Sequence, residues 1–275
     1  MPVKSLVVSH GSATDVGRVR QVNEDSLLAD PPVFAVADGM GGHDGGDVAS
    51  AIVVQELAGL AGRTLDPDAG ITEVTAALER AQQRITSYAA EQRAGGAEGF
   101  HSGTTCVLAL IVEGSAGPQW LLANLGDSRI YRWIEDDLSQ VSTDHSLVQE
   151  LVDSGRLTAE EAERHPQRNV ITRALGGRAS AAPDFFHVVL PPGSRLLLCS
   201  DGVTGLLAAD RISAILGERT DARDTAQRLV AAAVAAGGTD NATAVVVDVV
   251  GWEEKSPYDS AQQRASLEQK LGVLP

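Results

Sequence analysis

Three apolar segments that lie far apart in the chain each stand beside an aspartate. Asp38 follows VFAVA, Asp201 follows RLLLCS, and Asp240 lies just before NATAVVV. Apolar runs of this length predict buried strands, and the glycines beside the aspartates predict turns at the strand edges. Each aspartate alone is typical of an ordinary turn. Three that converge would form a site for a hard divalent cation, magnesium or manganese, which prefers oxygen ligands.

The remaining pattern predicts strands and helix pairs. Continuous or alternating apolar runs favour strands, and spacings of three and four favour helices. The segment WLLANLGDSRIYRW is typical of a β-hairpin with Gly126 and Asp127 in its turn. Together these elements predict an α+β protein built in layers. Strands are expected at 5–14, 26–38, 104–112, 185–190 and 195–200, and a final strand is expected to end at 250. A first helix is expected from Asp44, with the stripe Ala49, Val53, Leu57 and Leu60, and a second with the stripe Ile71, Val74, Leu78, Ala81 and Ile85. Further helices are expected at 145–154, 158–164, 208–216 and 222–235.

Composition and charge limit the classes of function. The chain has 275 residues, 43% of them hydrophobic, and no Pro- or Ser-rich linker divides it, which favours one large domain. Its 22 basic and 37 acidic residues leave a net charge of −15, which argues against nucleic acid or an anionic membrane as the main partner. The sequence has no signal-peptide pattern and no apolar run of about 18 residues, so a cytoplasmic protein without a membrane span is expected.

The cysteines and histidines indicate neither a thiol site nor a zinc site. Cys106 and Cys199 lie inside apolar runs and form no CxxC pair, which is typical of buried, reduced thiols. The six histidines include no pair at the spacing of a zinc motif. The candidate chemistry therefore stays with the aspartates.

The connector between the first two predicted strands contains Arg20 and Glu24. If the connector is extended, these two side chains lie on the same face. Such a pair is most often a plain surface ion pair. The functional alternative is that Arg20 binds a phosphate with its forked guanidinium while Glu24 orients a metal-bound water.

Six short motifs carry a resemblance to a known family: GRVRQVNED, VADGMGGHDGG, SGTT, GDSR, CSDG and GTDNAT. In this order and at these separations they resemble the metal-dependent protein phosphatases, the type 2C serine/threonine phosphatases. The DGMGGH form is similar to that of the bacterial members. The resemblance spans roughly residues 12–250, so residues 1–250 are expected to form a single catalytic domain and residues 251–275 a C-terminal extension.

The resemblance implies a fold and a set of site residues. The fold is a four-layer α/β/β/α sandwich, two antiparallel sheets flanked by helix pairs, with metal ions in a cleft at one edge. Two Mn²⁺ or Mg²⁺ ions are implied, together with a third, weaker one. The implied site consists of Asp38 between the two ions, the carbonyl of Gly39, Asp201, Asp240, Glu24 through water, Asp127 with Asp201 at the third ion, Asp25 behind the ligands, Asn241 at the flank and Arg20 on the substrate phosphate.

The implied mechanism agrees with the chemistry of these residues. Two neighbouring ions lower the pKa of a bridging water and aim it at phosphorus, so no side-chain nucleophile is needed. The remaining contribution of the protein is positioning and stabilisation of charge, which suits Arg20. Without cations, the clustered carboxylates would repel each other and the phosphate.

The chain departs from the eukaryotic members of the family at the general acid. Those members carry a histidine directly after Asp-Gly, whereas this chain has Met40 there and His43 three residues further on. Three alternatives stay open: His43 is the acid, a metal-bound water is the acid, or His43 has only a structural role in the glycine loop.

An arginine-rich segment falls where bacterial relatives carry a flap beside the active site, here about residues 144–178. Its last part, RHPQRNVITRALGGR, has no acidic residue in a strongly acidic chain. One hypothesis is a positive rim that attracts phosphorylated segments, and the alternative is a solvated loop whose arginines pair with neighbouring acids. The arginines are Arg164, Arg168, Arg173 and Arg178.

The predicted function is that of a monomeric phosphatase, dependent on manganese or magnesium, that acts on phosphoserine and phosphothreonine in proteins and opposes a bacterial serine/threonine kinase. A first alternative is an inactive relative that serves as a binding or signalling module, against which stands the presence of every expected metal ligand. A second alternative is a phosphohydrolase of small phosphate esters, because chemistry at phosphorus does not itself specify a protein substrate.

Overall fold

The computed structural model describes residues 3–41, 45–177, 182–218 and 220–255. Within these ranges the chain forms twelve strands and seven helices. The strands are β1 (Val3–Asp15), β2 (Ser26–Asp30), β3 (Val33–Ala37), β4 (Gly39–Met40), β5 (Gly103–Thr104), β6 (Cys106–Gly114), β7 (Gly117–Leu125), β8 (Arg129–Ile134), β9 (Asp137–Gln140), β10 (Asp184–Val188), β11 (Arg195–Cys199) and β12 (Ala242–Lys255). The helices are α1 (Gly46–Ala58), α2 (Pro67–Ala94), α3 (Leu147–Asp153), α4 (Ala159–Glu163), α5 (Asp201–Thr204), α6 (Ala209–Gly217) and α7 (Ala222–Ala236).

Two five-stranded antiparallel sheets form the centre of the molecule. The first has the strand order β1-β12-β11-β8-β9, and the second has the order β10-β7-β6-β3-β2. The short strands β4 and β5 pair with each other, one directly after β3 and the other just before β6. This small pair lies next to Asp38 in the sequence and helps to fix the backbone there.

Strand β3 shows how the apolar pattern produces layers. Phe34 and Val36 belong to the core between the two sheets, whereas Val33, Ala35 and Ala37 pack under α1 and α2. Successive side chains of a strand face opposite sides, so a run that is apolar at every position is covered on both faces. Helices α6 and α7 cover the first sheet in the same way. The predicted α+β fold, a four-layer α/β/β/α sandwich, is confirmed.

The helices over the second sheet follow the predicted stripes. Helix α2 begins after Asp66, whose side chain accepts a hydrogen bond from the amide of Ala69, and Pro67 occupies its first position. The stripe residues Ala49, Val53, Leu57, Leu60, Val74, Leu78, Ala81 and Ile85 are buried, and Ile71 is partly buried.

The predicted hairpin at 120–133 is wrong. Strand β7 pairs with β6 and β10, whereas β8 pairs with β9 and β11 in the other sheet. The connection through Gly126 and Asp127 therefore crosses between the sheets instead of turning back within one. Both kinds of connection use the same turn residues, so the local pattern does not distinguish them.

Two other predicted boundaries shift. The expected strand 26–38 is two antiparallel strands, β2 and β3, joined at Pro31 and Pro32, which have no backbone N–H to donate. The final strand continues past 250 to Lys255, where it pairs with Val3, so residues 251–255 belong to the sheet. The rest of the expected extension, 256–275, lies outside the described residues.

The other predicted helices and strands lie within a few residues of their expected positions, whereas β4, β9 and α5 were not predicted. Cys106 and Cys199 are buried and unpaired as predicted, and burial raises the pKa of each thiol to about 12. Among the described residues, no helix combines the length and apolar character that a bilayer crossing requires.

Candidate functional site

The backbone of Asp38 is held from both sides at the end of β3. Its carbonyl accepts hydrogen bonds from the amide of Thr105 and the hydroxyl of Thr104, both at 2.9 Å. Its amide donates to Oγ1 of Thr105 at 3.0 Å, and this hydroxyl lies 2.7 Å from that of Ser128. The SGTT and GDSR motifs thus meet at Asp38 and fix the direction of its side chain.

Asp201 and Asp25 approach Asp38 from two other parts of the chain. Asp201 opens α5 directly after β11, and its carboxyl is hydrogen-bonded to that of Asp38. Oδ2 of Asp25 accepts a hydrogen bond of 2.8 Å from the hydroxyl of Ser200, and the oxygen of this hydroxyl accepts one of 3.0 Å from the amide of Thr243. The charges of Asp25 and Asp201 raise the pKa of Asp38, and the charge of Asp201 also raises the pKa of Asp25.

Asn241 holds the connector that carries Arg20 and Glu24. Its side-chain NH₂ donates to the carbonyls of Val16 and Val22, both at 3.0 Å, and its Oδ1 accepts from the amide of Glu24 at 2.8 Å. Asn241 is only 4% exposed, so these bonds are shielded from water. Asn241, which was expected at the flank of the site, therefore holds the connector in its folded conformation.

Arg20 lies between two of the candidate carboxylates. Its Nη2 donates to Oδ2 of Asp240 at 2.8 Å, and its Nη1 lies 3.8 Å from Oε2 of Glu24. The hydrogen bond to Asp240 raises the pKa of Arg20. The side chain keeps 47% of its surface exposed, which leaves the guanidinium accessible to a ligand from solution.

Two glycines allow the backbone to pack closely around Glu24. A Cβ at Gly39 would lie 2.3 Å from the carbonyl oxygen of Gly46 and 2.4 Å from that of Glu24. A Cβ at Gly46 would lie 2.5 Å from Oε1 of Glu24. This carboxylate therefore lies against the first turn of α1, where the orientation of the peptide groups favours negative charge.

Asp127 reaches the cluster from the crossing between the sheets. It is 8% exposed, and its Oδ1 is buried without a hydrogen-bond partner. The preceding Gly126 has a φ of 115°, and a Cβ there would come within 2.6 Å of the side chain of Thr105, so the turn requires glycine. Burial raises the pKa of Asp127 to about 7, with further contributions from Asp201 and Asp144.

Burial and mutual repulsion raise the pKa values of the other carboxyls in the same way. Burial raises the pKa of Asp38 well above its usual range, and the charges of Asp25, Asp201 and Asp127 raise it further. It raises the pKa of Asp25 to about 6 and also raises that of Asp201. Although Asp38, Asp25 and Asp201 each keep some accessible surface, their carboxyls are surrounded by protein atoms. Such a cluster is stabilised by a cation.

These residues fit a hard divalent cation. The candidate donors are all oxygen atoms, and Oδ1 of Asp25, like that of Asp127, is buried without a hydrogen-bond partner. In the described ranges, no three His, Cys, Asp or Glu side chains already form a metal-binding group. Asp38 is paired with Asp201, and Asp240 with Arg20. A cation would replace the first contact and compete with the second, which would free Arg20.

The raised pKa of Asp127 predicts a pH effect on the stability of chelator-treated protein. Its pKa is about 7 in the folded state and about 4 in an unfolded chain, so the protonated form stabilises the fold fully below about pH 4. That stabilisation is lost as the pH rises through 7. Asparagine cannot ionise. The melting temperature of Asp127→Asn minus that of the wild type should therefore be larger at pH 8 than at pH 4.5, by about 4 °C or more. Asp210→Asn, at an exposed position, is the control. An equal change with pH in both variants would contradict the prediction.

The two arms of the flap between β9 and β10 are bridged to each other, and the returning arm is bridged to the site. Ser146 bridges to Ile171, and Leu175 bridges to Thr104 next to Asp38. Helix α4 begins with a capping box of Thr158 and Glu161, whose side chains each bond the other's backbone.

The arginines of the flap divide between the two interpretations given above. Arg173 pairs with Asp184 at 3.1 Å, whereas Arg164 is 81% exposed and lies 3.9 Å from Glu160, and Arg168 is also exposed. The ion-pair interpretation therefore suits Arg173. His43 and Arg178 lie outside the described residues.

The sequence patterns did not indicate which polar residues hold the loops of the site. Arg129 of the GDSR motif forms a bidentate ion pair with Asp144, with Nε and Nη2 at 3.0 and 2.7 Å from Oδ2. Burial lowers the pKa of Arg129, but the hydrogen bond and the charge of Asp144 outweigh it and raise the pKa. The motif thus anchors the start of the flap. The only local signal was a buried-strand arginine two residues after Asp127.

Comparison with known proteins identifies relatives over most of the chain. The family model described as Protein phosphatase 2C matches residues 17–238. The serine/threonine protein phosphatase PstP of Mycobacterium tuberculosis (strain ATCC 25618 / H37Rv) is 38% identical over 249 residues, which are 90% of this chain and 46% of that protein. The chain therefore spans about half the length of this relative. The protein phosphatase PhpP of Streptococcus pneumoniae is 36% identical over 245 residues, 86% of this chain and 95% of that protein.

Solved structures agree with the sequence comparison. The crystal structure of the M. tuberculosis phosphatase PstP has a TM-score of 0.81 at 37% identity and covers 89% of this chain and 100% of that one. The catalytic domain of PstP in complex with two manganese ions has a TM-score of 0.78 at 36% identity, covering 90% of this chain and 100% of that one. With a family match that includes Arg20, Asp38 and Asp201, and relatives that share more than a third of their aligned residues, the chain belongs to the protein phosphatase 2C family.

Proposed function

We propose that the protein is a metal-dependent phosphatase that removes phosphate from phosphoserine and phosphothreonine in proteins. The observation that carries the proposal is the cluster of buried carboxyls, Asp25, Asp38, Asp127 and Asp201, beside the half-exposed pair of Arg20 and Asp240. The cluster suits cations, and the guanidinium at its accessible edge suits a phosphate. Relatives named as serine/threonine phosphatases support the class of substrate.

Each residue has a proposed role at two Mn²⁺ or Mg²⁺ ions. The manganese complex of the PstP catalytic domain supports manganese, and the all-oxygen donor set supports either metal. When bound, such ions supply Lewis-acid activation of a water for attack on phosphorus. The proposed ligands are Asp38, the carbonyl of Gly39, Asp201 and Asp240, with Glu24 acting through water and Asp127 joining Asp201 at a third, weaker position.

The protein's own groups position the substrate. Arg20 binds two oxygens of the phosphate with its fork and stabilises the charge that develops there. Asn241 keeps Arg20 and Glu24 in place through the connector, and Asp25 is kept in place by Ser200. Because the transition state of a phosphate monoester is loose, this positioning is most of what the protein contributes.

Several further proposals concern the surroundings of the site. The exposed Arg164 and Arg168 are proposed to attract phosphorylated segments toward an otherwise acidic surface. A paired bacterial serine/threonine kinase, a monomeric state and a cytoplasmic location are proposed on the composition and the family. An inactive binding module would have no physical reason to retain buried carboxyls that destabilise one another.

The test is manganese-dependent release of phosphate from a phosphothreonine peptide by the full chain. Release should require the metal and stop with a chelator. Arg20→Ala should lower kcat/KM about 10- to 100-fold, because a charge-assisted hydrogen bond contributes about 1.5–3 kcal/mol. Arg18→Ala, an exposed position in the same connector, is the matched control and should stay near the wild type.

Two results would overturn the proposal. The first is metal binding without release from any phosphopeptide, which would favour a binding module. The second is release from a small aryl phosphate alone, which would favour a phosphohydrolase of small esters. Equal losses in Arg20→Ala and Arg18→Ala would remove the phosphate-binding role of Arg20.

A further inference from the structure

His145 lies between the turn that carries Asp127 and the segment that leads back from the flap, here called the return segment, residues 171–177. Its amide donates to the carbonyl of Gly126 at 2.8 Å, and its carbonyl accepts from the amide of Thr172 at 2.8 Å. One residue therefore joins the turn on one side and the return segment on the other. It is 5% exposed, so both bonds are shielded from water.

The imidazole repeats this connection through its side chain. Nδ1 accepts a hydrogen bond of 3.1 Å from the amide of Gly126, so Nδ1 carries no proton. The proton therefore lies on Nε2, which donates to Oδ2 of Asp184 at 3.0 Å. Both polar groups of the Gly126 backbone, its N–H and its C=O, are thus hydrogen-bonded to His145, and the C=O also accepts a longer bond of 3.4 Å from Nδ2 of Asn124.

The far end of the imidazole meets an ion pair that fastens the return segment. Nη1 of Arg173 donates to Oδ1 of Asp184 at 3.1 Å and lies 3.3 Å from Nε2 of His145. Asp184 begins β10 and stands opposite Asn124 of β7 in the sheet. The return segment is therefore fastened to the same sheet from which the Gly126 turn departs.

The Gly126 turn also contacts the residue that holds Asp38. A Cβ at Gly126 would come within 2.6 Å of Thr105, whose hydroxyl accepts the hydrogen bond from the amide of Asp38. Two residues after Leu125, the chain delivers Asp127 to the carboxyl cluster. A displacement of the Gly126 peptide therefore moves Asp127 relative to Asp38.

We propose that His145 is a positioning residue that couples the flap to the Asp127 side of the carboxyl cluster. Nδ1 and the amide of His145 hold the turn, while Nε2 and the carbonyl hold the return segment through Asp184 and Thr172. A phosphorylated protein that moves the flap thereby changes the position of Asp127. The inference rests on the proposed function only where it concerns a phosphorylated substrate. The contacts of His145 are tested by hydrogen exchange and metal binding, which do not require catalysis.

Two substitutions separate the two ends of the imidazole. His145→Asn places an acceptor near the position of Nδ1 and removes the Nε2 end, and His145→Gln places its amide near Nε2 and leaves Gly126 without an acceptor. Asp184→Ala removes the partner of the Nε2 end and leaves His145 in place. His187→Gln, an exposed histidine on the same strand β10, is the control and should behave as the wild type.

The expected pattern is different for each end. In His145→Gln the amide of Gly126 should exchange with solvent about tenfold faster, because one buried hydrogen bond is lost. The weakest step of manganese binding, measured by calorimetry, should weaken about 10- to 100-fold in the same variant. In His145→Asn and Asp184→Ala both quantities should stay within about twofold of the wild type, while KM for a phosphoprotein rises about fivefold or more relative to kcat.

Identical exchange and manganese binding in His145→Asn and His145→Gln would overturn the inference. If His145→Gln does not fold, Asp184→Ala decides, since faster exchange of the Thr172 amide together with the rise in KM for a phosphoprotein relative to kcat supports the coupling, and an unchanged KM overturns it. If the wild type releases no phosphate but the exchange and binding patterns hold, the positioning role stands and the proposed function fails.

Discussion

Asp38→Asn is expected to reduce manganese-dependent phosphate release by at least about 10³-fold. In its proposed role between two cations, Asp38 supplies a charge whose loss would remove several kcal/mol of support for the metal site, and each 1.36 kcal/mol is a factor of ten in rate. Asparagine keeps the shape of the side chain and all three backbone hydrogen bonds to Thr104 and Thr105. The measurement is kcat/KM for a phosphothreonine peptide at saturating manganese, together with calorimetric binding of the metal.

The melting temperature separates this effect from misfolding. Burial and repulsion disfavour the ionised form of Asp38, so the uncharged asparagine should melt no lower than the wild type in chelator at pH 8. Asp30→Asn, an exposed aspartate at the end of β2, is the control and should retain activity. Activity of Asp38→Asn within tenfold of the wild type would exclude Asp38 as the central ligand.

Gly202→Ala is expected to lower the free energy of unfolding by about 3 kcal/mol or more, which corresponds to roughly 6–12 °C in melting temperature. A Cβ at Gly202 would lie 1.8 Å from the carbonyl oxygen of Asn241 and 2.8 Å from its carbonyl carbon. Both atoms are backbone, so no side-chain rotation relieves the clash. The first turn of α5 and the loop of Asp240 would have to separate, and manganese affinity should fall with stability.

Thermal melts with and without manganese test this prediction. The control is Gly251→Ala, where no atom lies within 4 Å of the added Cβ, and its melting temperature should stay within about 2 °C of the wild type. A Gly202→Ala protein that melts like this control would show that the two loops tolerate a wider spacing.

The sequence predicted best those parts of the fold that neighbouring residues decide. The strand VFAVA has apolar side chains on both faces, and both faces are covered as expected. The stripe of α2 is buried at Val74, Leu78, Ala81 and Ile85. The hairpin failed because Gly126 and Asp127 form a turn in either topology, and the choice depends on β6, β10 and β11, which lie elsewhere in the chain.

For the candidate site, the sequence predicted which acidic residues come together but not the contacts that hold them. The six motifs named the acidic residues through a resemblance, and the structure brings Asp25, Asp38, Asp127 and Asp201 together. Their roles as ligands stay predictions. The pattern did not indicate that Asn241 folds the connector or that His145 clamps Gly126, because both depend on hydrogen bonds between residues that have no periodic relation in the sequence.

The position of Asn241 near the end of the domain has a consequence for synthesis of the protein. Glu24 leaves the ribosome early, but its amide finds its partner only 217 residues later. At about 5–20 residues per second, this takes roughly 10–40 s. Until then the connector has no anchor, Arg20 has no Asp240, and β1 has no β12 to pair with. A nascent chain therefore lacks these contacts of the candidate site until Asp240 and Asn241 have been translated.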